Sequence, residues 1–189
     1  MKKIAYIIPG SGEYSNESAY KKIGHFFKNK GIKPVPVKIK WDYKTMTDYV
    51  NQFKKIANKN PDYVLGFSFG AMIAFITAND VKPKCLILCS LSPWFKEDLP
   101  YIPKRWRRYV GKKLWKDLNK YSFNKIVKNN KLKVILLVGE KEGKECIRRA
   151  KLANKKLEHS KLITIEKTRH KMSDERYLNK IKEVIMNLN

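Results

Sequence analysis

Short apolar runs, bounded by polar, glycine-containing or proline-containing turns, recur along the whole chain. Apolar runs of about four to eight residues with such boundaries are typical of strands. Near-continuous apolar character, rather than strict alternation, indicates parallel strands that are covered on both faces. We therefore predict strands at residues 3–9, 33–41, 63–67, 85–89, 133–138 and 162–165.

Apolar residues recur at helical spacing in the segments between these runs. Ala19, Ile23 and Phe27 form one such stripe, and Tyr177 begins another in the last segment. Stripes of this kind predict amphipathic helices. Strands that alternate with helices predict an α/β fold with three layers, in which a doubly wound, mainly parallel sheet of about six strands lies in the middle. We expect a single domain over residues 1–189.

The second predicted strand differs from the others because prolines alternate with its apolar residues. Pro34 and Pro36 cannot donate a backbone hydrogen bond, so they are tolerated only where one side of the strand is unpaired. We therefore expect this strand at an edge of the sheet.

A long insert at residues 92–131 interrupts the alternation of strands and helices. It carries many aromatic residues among prolines and the basic run at 104–108. Such an excursion inside a compact domain is usually a lid or a binding surface. We expect Trp94, Trp106 and Arg107 to contact substrate, since rings beside arginine suit an amphiphile with an apolar chain and an anionic head. A lid that packs its own rings is the alternative.

The net charge of +25 is the most unusual feature of the composition. Clustered lysine and arginine bind nucleic-acid phosphates and anionic membranes. Here the lysines are spread over nearly every segment, and no nucleic-acid-binding motif accompanies them, which indicates a compositional bias on solvated faces. We expect no specific nucleic-acid partner. A non-catalytic basic module that binds an anionic ligand, a membrane or nucleic acid is the alternative function.

Neither the cysteines nor the apolar runs indicate secretion or a membrane. Three cysteines leave an odd thiol and form no C-x-x-C motif, which fits a reducing cytosol better than a disulfide scaffold. The first apolar run is too short for a signal peptide, and no run approaches the roughly 18 residues of a membrane span. We expect a cytoplasmic protein without a membrane span.

The stretch Gly66-Phe-Ser-Phe-Gly70 joins a predicted strand to a predicted helix. In a G-x-S-x-G turn at such a junction, the glycines leave room for a sharp bend that exposes the serine hydroxyl. Ser68 is therefore the candidate nucleophile. A serine that only caps the following helix is the alternative.

A serine nucleophile needs a general base, and the base needs an acidic group that orients it. His170 follows the last predicted strand, where a loop at the strand's carboxyl end can reach Ser68. The acid is expected after the preceding strand, whose exit offers Glu140 and Glu142. Asp98, early in the insert, is a third candidate.

The chain resembles the α/β-hydrolase superfamily over nearly its whole length. Three features carry the resemblance: the turn at Gly66–Gly70, which that family calls the nucleophile elbow, the order of serine, acid and histidine along the chain, and the alternation of strands and helices. The resemblance implies a minimal version of that fold, without its two leading antiparallel strands. The family's strand exit often reads Gly-x-x-Asp, which maps onto Glu142 and makes Glu140 the runner-up. The resemblance also implies an oxyanion hole formed by the backbone N–H groups of Phe69 and Ser11.

Two glycine-containing loops also resemble nucleotide-binding motifs. The stretch at 10–15 lacks the third glycine of a dinucleotide site, and the stretch at 139–145 lacks the Ser or Thr of a P-loop. Gly10 is expected to contact substrate instead. No metal-binding pattern such as H-E-x-x-H occurs, so we expect no metal and no cofactor. The sequence thus predicts a serine hydrolase that cleaves a small-molecule carboxylic ester or thioester through an acyl-enzyme intermediate.

Overall fold

The computed structural model describes residues 3–57, 60–128 and 131–188, apart from the side chain of Tyr109. The strands in these residues form one sheet in which every pair of neighbours is parallel. They are β1 (Ile4–Ile8), β2 (Lys33–Pro36), β3 (Tyr63–Phe67), β4 (Cys85–Cys89), β5 (Lys133–Gly139) and β6 (Ser160–Ile165). Their order across the sheet is β2-β1-β3-β4-β5-β6.

Helices cover both faces of the sheet. They are α1 (Ser18–Asn29), α2 (Met46–Ile56), α3 (Phe69–Ile76), α4 (Ala78–Val81), α5 (Lys104–Leu118), α6 (Phe123–Lys128), α7 (Lys144–Lys156) and α8 (Glu175–Met186). Helices α1 and α8 share one apolar core with the sheet, and the remaining helices share the core on its opposite face. The predicted three-layer, doubly wound α/β fold is confirmed.

The central strands explain why the chain needs near-continuous apolar runs. Every residue of β3 and β4 is buried. Successive residues of a strand point to opposite faces, so Val64 contributes to one core and Leu65 to the other. Both faces of these strands are covered, and a strict alternation of polar and apolar residues would place polar groups in a core.

The strand order creates a crevice at the carboxyl ends of β1 and β3. The chain runs outward from β1 to β2, returns to β3 on the other side of β1, and then continues in the opposite direction. In an open α/β sheet, the loops that leave neighbouring strands in opposite directions at such a reversal leave a space between them, at the carboxyl ends of the strands. The loops after β1 and β3 meet here, and the second of them contains Ser68.

The second strand lies at the edge of the sheet, as its prolines predict, and it pairs with β1 alone. It is shorter than predicted, since it ends at Pro36 rather than at residue 41. Val37, Ile39 and Trp41 nevertheless remain buried. The alternating pattern therefore records burial on one side of an extended segment, of which only the first part joins the sheet.

The insert at 92–131 is more helical than its prolines suggest, since it contains α5 and α6 after a short 3-10 turn. Helix α5 is interrupted at Gly111, where φ is 72° and ψ is 163°. Positive φ favours glycine, so this residue suits a break between two helical halves. The insert's Phe95, Leu118 and Phe123 are fully buried in the core shared with α3.

No helix within the described residues has both the length and the apolar character that a membrane crossing requires.

Candidate active site

Ser68 occupies a strained turn between β3 and α3. Its backbone has φ of 54° and ψ of −117°, a conformation that residues with a side chain rarely adopt. A Cβ atom at Gly66 would lie 2.3 Å from the carbonyl oxygen of Gly70, and one at Gly70 would lie 2.3 Å from that of Ile8. Both glycines are therefore required by close backbone contacts, and the turn they permit places the serine hydroxyl at the crevice.

His170 lies between Ser68 and Glu142. Its Nε2 atom is 3.0 Å from Ser68 Oγ, and its Nδ1 atom is 2.8 Å from Glu142 Oε2. Both distances are within the range of good hydrogen bonds. The structure thus brings together the three residues that the sequence singles out as nucleophile, base and first-choice acid.

The loop that carries His170 is held against the exit of β5. The backbone N–H of Lys141 donates to the carbonyl oxygen of Thr168 at 2.9 Å. A Cβ atom at Gly139 would lie 2.4 Å from the same oxygen, so only glycine allows the two loops to approach this closely. The imidazole of His170 also packs on Phe67, with ring centroids 4.9 Å apart. These contacts fix the ring beside Ser68.

The Glu142 side chain is completely buried, and hydrogen bonds occupy both of its oxygens. Oε1 accepts from Ser90 Oγ at 2.6 Å and from the Gly139 N–H at 2.7 Å, while Oε2 faces His170. Tyr177 lies behind this pair, with its hydroxyl 2.8 Å from Ser90 Oγ. Burial, with contributions from Cys89 and Glu142, raises the pKa of Tyr177 well above its ordinary value, so its hydroxyl stays neutral.

The other two candidate acids lie in different surroundings. Glu140 is exposed, and its Oε2 atom accepts from the backbone N–H of Lys167 at 2.7 Å. Asp98 is completely buried and forms a bidentate ion pair with Arg149, joined by Arg148. Glu142 is thus the one of the three that contacts the imidazole.

The loop after β1 is ordered by the carboxylate of Glu13. Its Oε2 atom accepts from the N–H of Gly10 at 2.9 Å and from the hydroxyl of Tyr20. Burial, together with the Glu13 charge, raises the pKa of Tyr20, so the hydroxyl remains a donor. A Cβ atom at Gly10 would lie 2.5 Å from the Glu13 carboxylate. Gly10 is buried within this network and is not among the described residues that line the neighbouring cavity, which gives it a part in shaping the loop.

No protein-family model and no curated protein sequence matches the chain. Solved structures do match its fold. Est1E from Butyrivibrio proteoclasticus is 16% identical with a TM-score of 0.76, and the match covers 98% of this chain and 86% of that one. Est1E has also been solved with ferulic acid bound. Alpha/beta hydrolase domain-containing protein 10 from mouse is 13% identical with a TM-score of 0.77, covering 98% and 89% of the two chains.

The chain has the α/β-hydrolase fold. An esterase domain from a Rhodothermus marinus protein supports the same conclusion, with 13% identity, a TM-score of 0.74, and coverage of 97% of this chain and 85% of that one. At these identities the similarity concerns the fold alone.

In this α/β-hydrolase fold, the residues predicted for the oxyanion hole lie beside Ser68. Phe69 is the first residue of α3, and the first N–H groups of a helix have no partner within the helix. Ser11 and Phe69 line the same cavity as Ser68 and His170. Their roles in binding an oxyanion remain predictions that this arrangement permits.

The cavity beside Ser68 has a volume of about 600 Å³ and is lined mainly by aromatic and aliphatic side chains. Trp94 and Trp106 of the insert belong to this lining, as predicted. Arg107 does not, since its guanidinium lies over the ring of Trp115 at 4.7 Å from the centroid. The charged residues that do line the cavity are Lys44 and Glu145.

A further cavity of about 650 Å³ lies near the starts of β5 and β6, beside α8, and shares no lining residue with the cavity at Ser68.

Sequence reasoning missed several polar groups around the triad. Ser92 Oγ lies 3.2 Å from Ser68 Oγ, and Ser90 and Tyr177 support Glu142 as described above. Ser90 directly follows β4 and Ser92 comes two residues later, and polar residues at the carboxyl end of a parallel strand are a signal that could have identified them.

Cys146 is a further group next to the triad. Its thiol lies within 4.8 Å of ligand atoms of Glu142 and His170, a spacing that could hold a metal ion. A metal would have to displace the hydrogen bond between His170 and Glu142, so this cluster is better explained by that hydrogen bond. Burial raises the pKa of the Cys146 thiol to about 12, with contributions from neighbouring carboxylates, so it remains protonated at neutral pH.

Proposed function

We propose that this protein is a serine hydrolase that cleaves carboxylic esters or thioesters through an acyl-enzyme intermediate. The observation that carries the proposal is the continuous hydrogen-bonded chain from Ser68 through His170 to Glu142, with distances of 3.0 and 2.8 Å. The strained backbone of Ser68 and the hydrolase fold support it. Neither feature alone distinguishes an enzyme from a binding protein, because one fold hosts many functions.

In the first half of the reaction, Ser68 Oγ attacks the carbonyl carbon of the substrate while His170 Nε2 accepts the serine proton. The buried Glu142 carboxylate orients the imidazole and stabilises its positive charge. The N–H groups of Phe69 and Ser11 stabilise the negative charge on the carbonyl oxygen. His170 then gives its proton to the leaving alcohol or thiol as the bond between that group and the acyl carbon breaks.

In the second half, water attacks the carbonyl carbon of the acyl-serine, again with His170 Nε2 as base. The bond to Ser68 Oγ breaks, His170 returns the proton to the serine, and the carboxylic acid leaves. Ser92 lies close enough to Ser68 Oγ to orient the free serine hydroxyl before it attacks a substrate.

The cavity lining supports an apolar or aromatic acyl group. Trp94, Trp106 and Phe69 present rings to the space beside Ser68, and such surfaces favour apolar substrates with a planar group. Ferulic acid, bound by Est1E, is a planar aromatic acid. Arg107 does not line the cavity, so it is not positioned to bind an anionic head of the substrate. Lys44 is the lining residue able to take that part.

The proposal is tested by replacing Ser68 with Ala and measuring hydrolysis of p-nitrophenyl butyrate. We expect activity to fall by about 10³-fold to 10⁶-fold, since the residual rate would come only from binding and oxyanion stabilisation. Ser18→Ala, an exposed serine at the start of α1, is the control and is expected to retain activity. The proposal fails if Ser68→Ala remains active, or if a fluorophosphonate probe labels the wild-type protein at another residue.

A further inference from the structure

Helix α5 carries an unusual concentration of positive charge next to the candidate active site. All of its lysines and arginines are exposed. They are Lys104, Arg105, Arg107, Arg108, Lys112, Lys113 and Lys116. The same helix contributes Trp106, Val110 and Leu114 to the lining of the cavity. The charge therefore lies on the helix that forms part of the wall of the cavity beside Ser68.

Little negative charge on this helix offsets it. Asp117 is the one carboxylate of α5, and it is buried against Thr47, with Lys120 as its ion-pair partner. Among the described residues, no salt bridge involves any of the seven exposed basic side chains of α5. Lys113 lies near Asp48 and helps to lower its pKa, after the hydrogen bonds from Thr45. Glu145 also faces the cavity.

Large aromatic side chains are exposed at the same place. Tyr43 has 98% of its surface exposed and Trp106 has 44%, and both line the rim of the cavity. Apolar surface that is exposed beside a cavity is typical of binding sites. Tyrosine and tryptophan are the residues that prefer the boundary between water and lipid, because one part of each ring is polar and the rest is apolar.

We propose that this face, formed by α5 and the rim residues Tyr43 and Trp106, binds an anionic lipid surface and takes ester substrates directly from it. The inference rests on the proposed function, since it supplies a source for the ester. A lipid layer offers three features that the face complements: negative charge for the helix, an interface for the rings, and acyl chains for the apolar cavity. Nucleic acid complements the charge and the rings, but it offers no acyl ester for Ser68.

Binding is measured by sedimentation with phosphatidylcholine vesicles that either contain or lack phosphatidylglycerol. The Ser68→Ala variant of the 189-residue chain is used, so that hydrolysis cannot alter the vesicles. We expect binding only when phosphatidylglycerol is present, and weaker binding as sodium chloride is raised, because salt screens exposed charges.

A triple variant tests whether α5 forms the surface. Lys104→Gln, Arg105→Gln and Arg108→Gln together are expected to reduce vesicle affinity on the order of 100-fold, from the usual contribution of basic residues near an anionic membrane. The matched control replaces Lys28, Lys55 and Lys155 with Gln. These exposed lysines lie near the carboxyl-terminal ends of α1, α2 and α7, on the side of the sheet where the strands begin. Their loss is expected to change the affinity only slightly.

A substitution at the rim tests the contribution of the rings. Tyr43→Asn removes the most exposed ring while keeping a residue type that tolerates its positive φ of 48°. We expect this variant to lose several-fold in affinity, with the loss persisting at high salt. Circular dichroism verifies that each variant is folded.

The two triple variants decide the location of the surface, and the ligand series decides its partner. Equal losses in both triple variants, or equal binding to vesicles with and without phosphatidylglycerol, would overturn the proposal. Tighter binding to a single-stranded RNA oligonucleotide than to the anionic vesicles would also overturn it, in favour of nucleic acid.

Hydrolysis of p-nitrophenyl butyrate by the same variants with Ser68 intact is measured separately. Vesicle binding without hydrolysis contradicts the enzyme alone, and hydrolysis without vesicle binding contradicts the lipid surface alone.

Discussion

Glu142 shows how one side chain is selected from several carboxylates. It lies in the turn after β5, where its backbone N–H donates to the carbonyl oxygen of Gly139 at 3.2 Å. Its side chain then turns inward, so that one oxygen meets Ser90 and Gly139 and the other meets His170. Glu140, two positions earlier, is exposed and accepts a hydrogen bond from the backbone N–H of Lys167. The difference arises from the path of the turn, which places neighbouring carboxylates in opposite environments.

At the residue scale, we predict unequal effects for the two glutamates. Glu142→Gln is expected to lower the kcat for p-nitrophenyl butyrate by about 10³-fold to 10⁴-fold. An amide neither holds the imidazole in the required tautomer nor stabilises its positive charge. Glu140→Gln is the matched control and should retain nearly full activity. A larger loss in Glu140→Gln than in Glu142→Gln would contradict the assignment of the acid.

The elements around the elbow depend on very short distances between backbones. Helix α3 begins immediately after Ser68 and lies so close to the end of β1 that a Cβ atom at Gly70 would be 2.4 Å from the Pro9 carbonyl oxygen. This proximity joins the nucleophile to the loop that contains Ser11. The spacing of strand and helix therefore sets the geometry of the predicted oxyanion hole as well as that of the serine.

At the element scale, we predict that Gly70→Ala destabilises the fold by more than about 1–3 kcal/mol, the usual cost of excess volume in a well-packed core, because the obstructing atoms belong to the backbone. Gly24→Ala is the control. Gly24 lies inside α1, where a Cβ atom would meet Pro34 at an ordinary 3.8 Å. Alanine there should stabilise the helix by roughly 0.5–1 kcal/mol.

Urea unfolding of the two variants measures both effects. Similar midpoints for Gly70→Ala and the wild-type protein would show that α3 and the end of β1 can move apart without loss of stability, contrary to the prediction.

At the scale of the whole molecule, a buried ion pair attaches the insert to the α/β core. Asp98 and the guanidinium of Arg149 are both almost completely buried, although they come from the insert and from α7. The Arg149 guanidinium also lies over the ring of Phe123, 4.4 Å from its centroid. The walls that the insert supplies to the cavity beside Ser68 thus depend on a contact between distant parts of the chain.

We predict that Arg149→Met destabilises the protein by about 3–5 kcal/mol, since it leaves the Asp98 carboxylate buried with less compensation. The double variant Asp98→Asn, Arg149→Met should be more stable than the sum of the two single losses predicts, because it removes the uncompensated charge. Urea unfolding of all four proteins completes the cycle. Additive losses would contradict this account.

Lys54→Met is a surface control for the same experiment. The salt bridge between Lys54 and Asp80 is exposed, so its loss should leave the unfolding midpoint nearly unchanged.

The positions of the strands and the sharp turn at Ser68 could be predicted because both depend on residues that are close in the chain. Apolar runs identified the strands, and the two glycines around Ser68 identified a turn. The insert was less predictable. Its prolines suggested irregular structure, although Val110, Leu114 and Leu118 recur four residues apart, as a helix requires.

The sequence by itself determined the three layers, the edge strand and the order of serine, acid and histidine, since periodicity and local turns are properties of neighbouring residues. The tertiary structure decided which glutamate faces His170 and that Arg107 stacks on Trp115 instead of lining the cavity. It also decided that Ser90 and Tyr177 support the acid. These outcomes depend on how loops from separate strands approach one another at the carboxyl edge of the sheet, and contacts between residues far apart in the chain leave no periodic pattern in it.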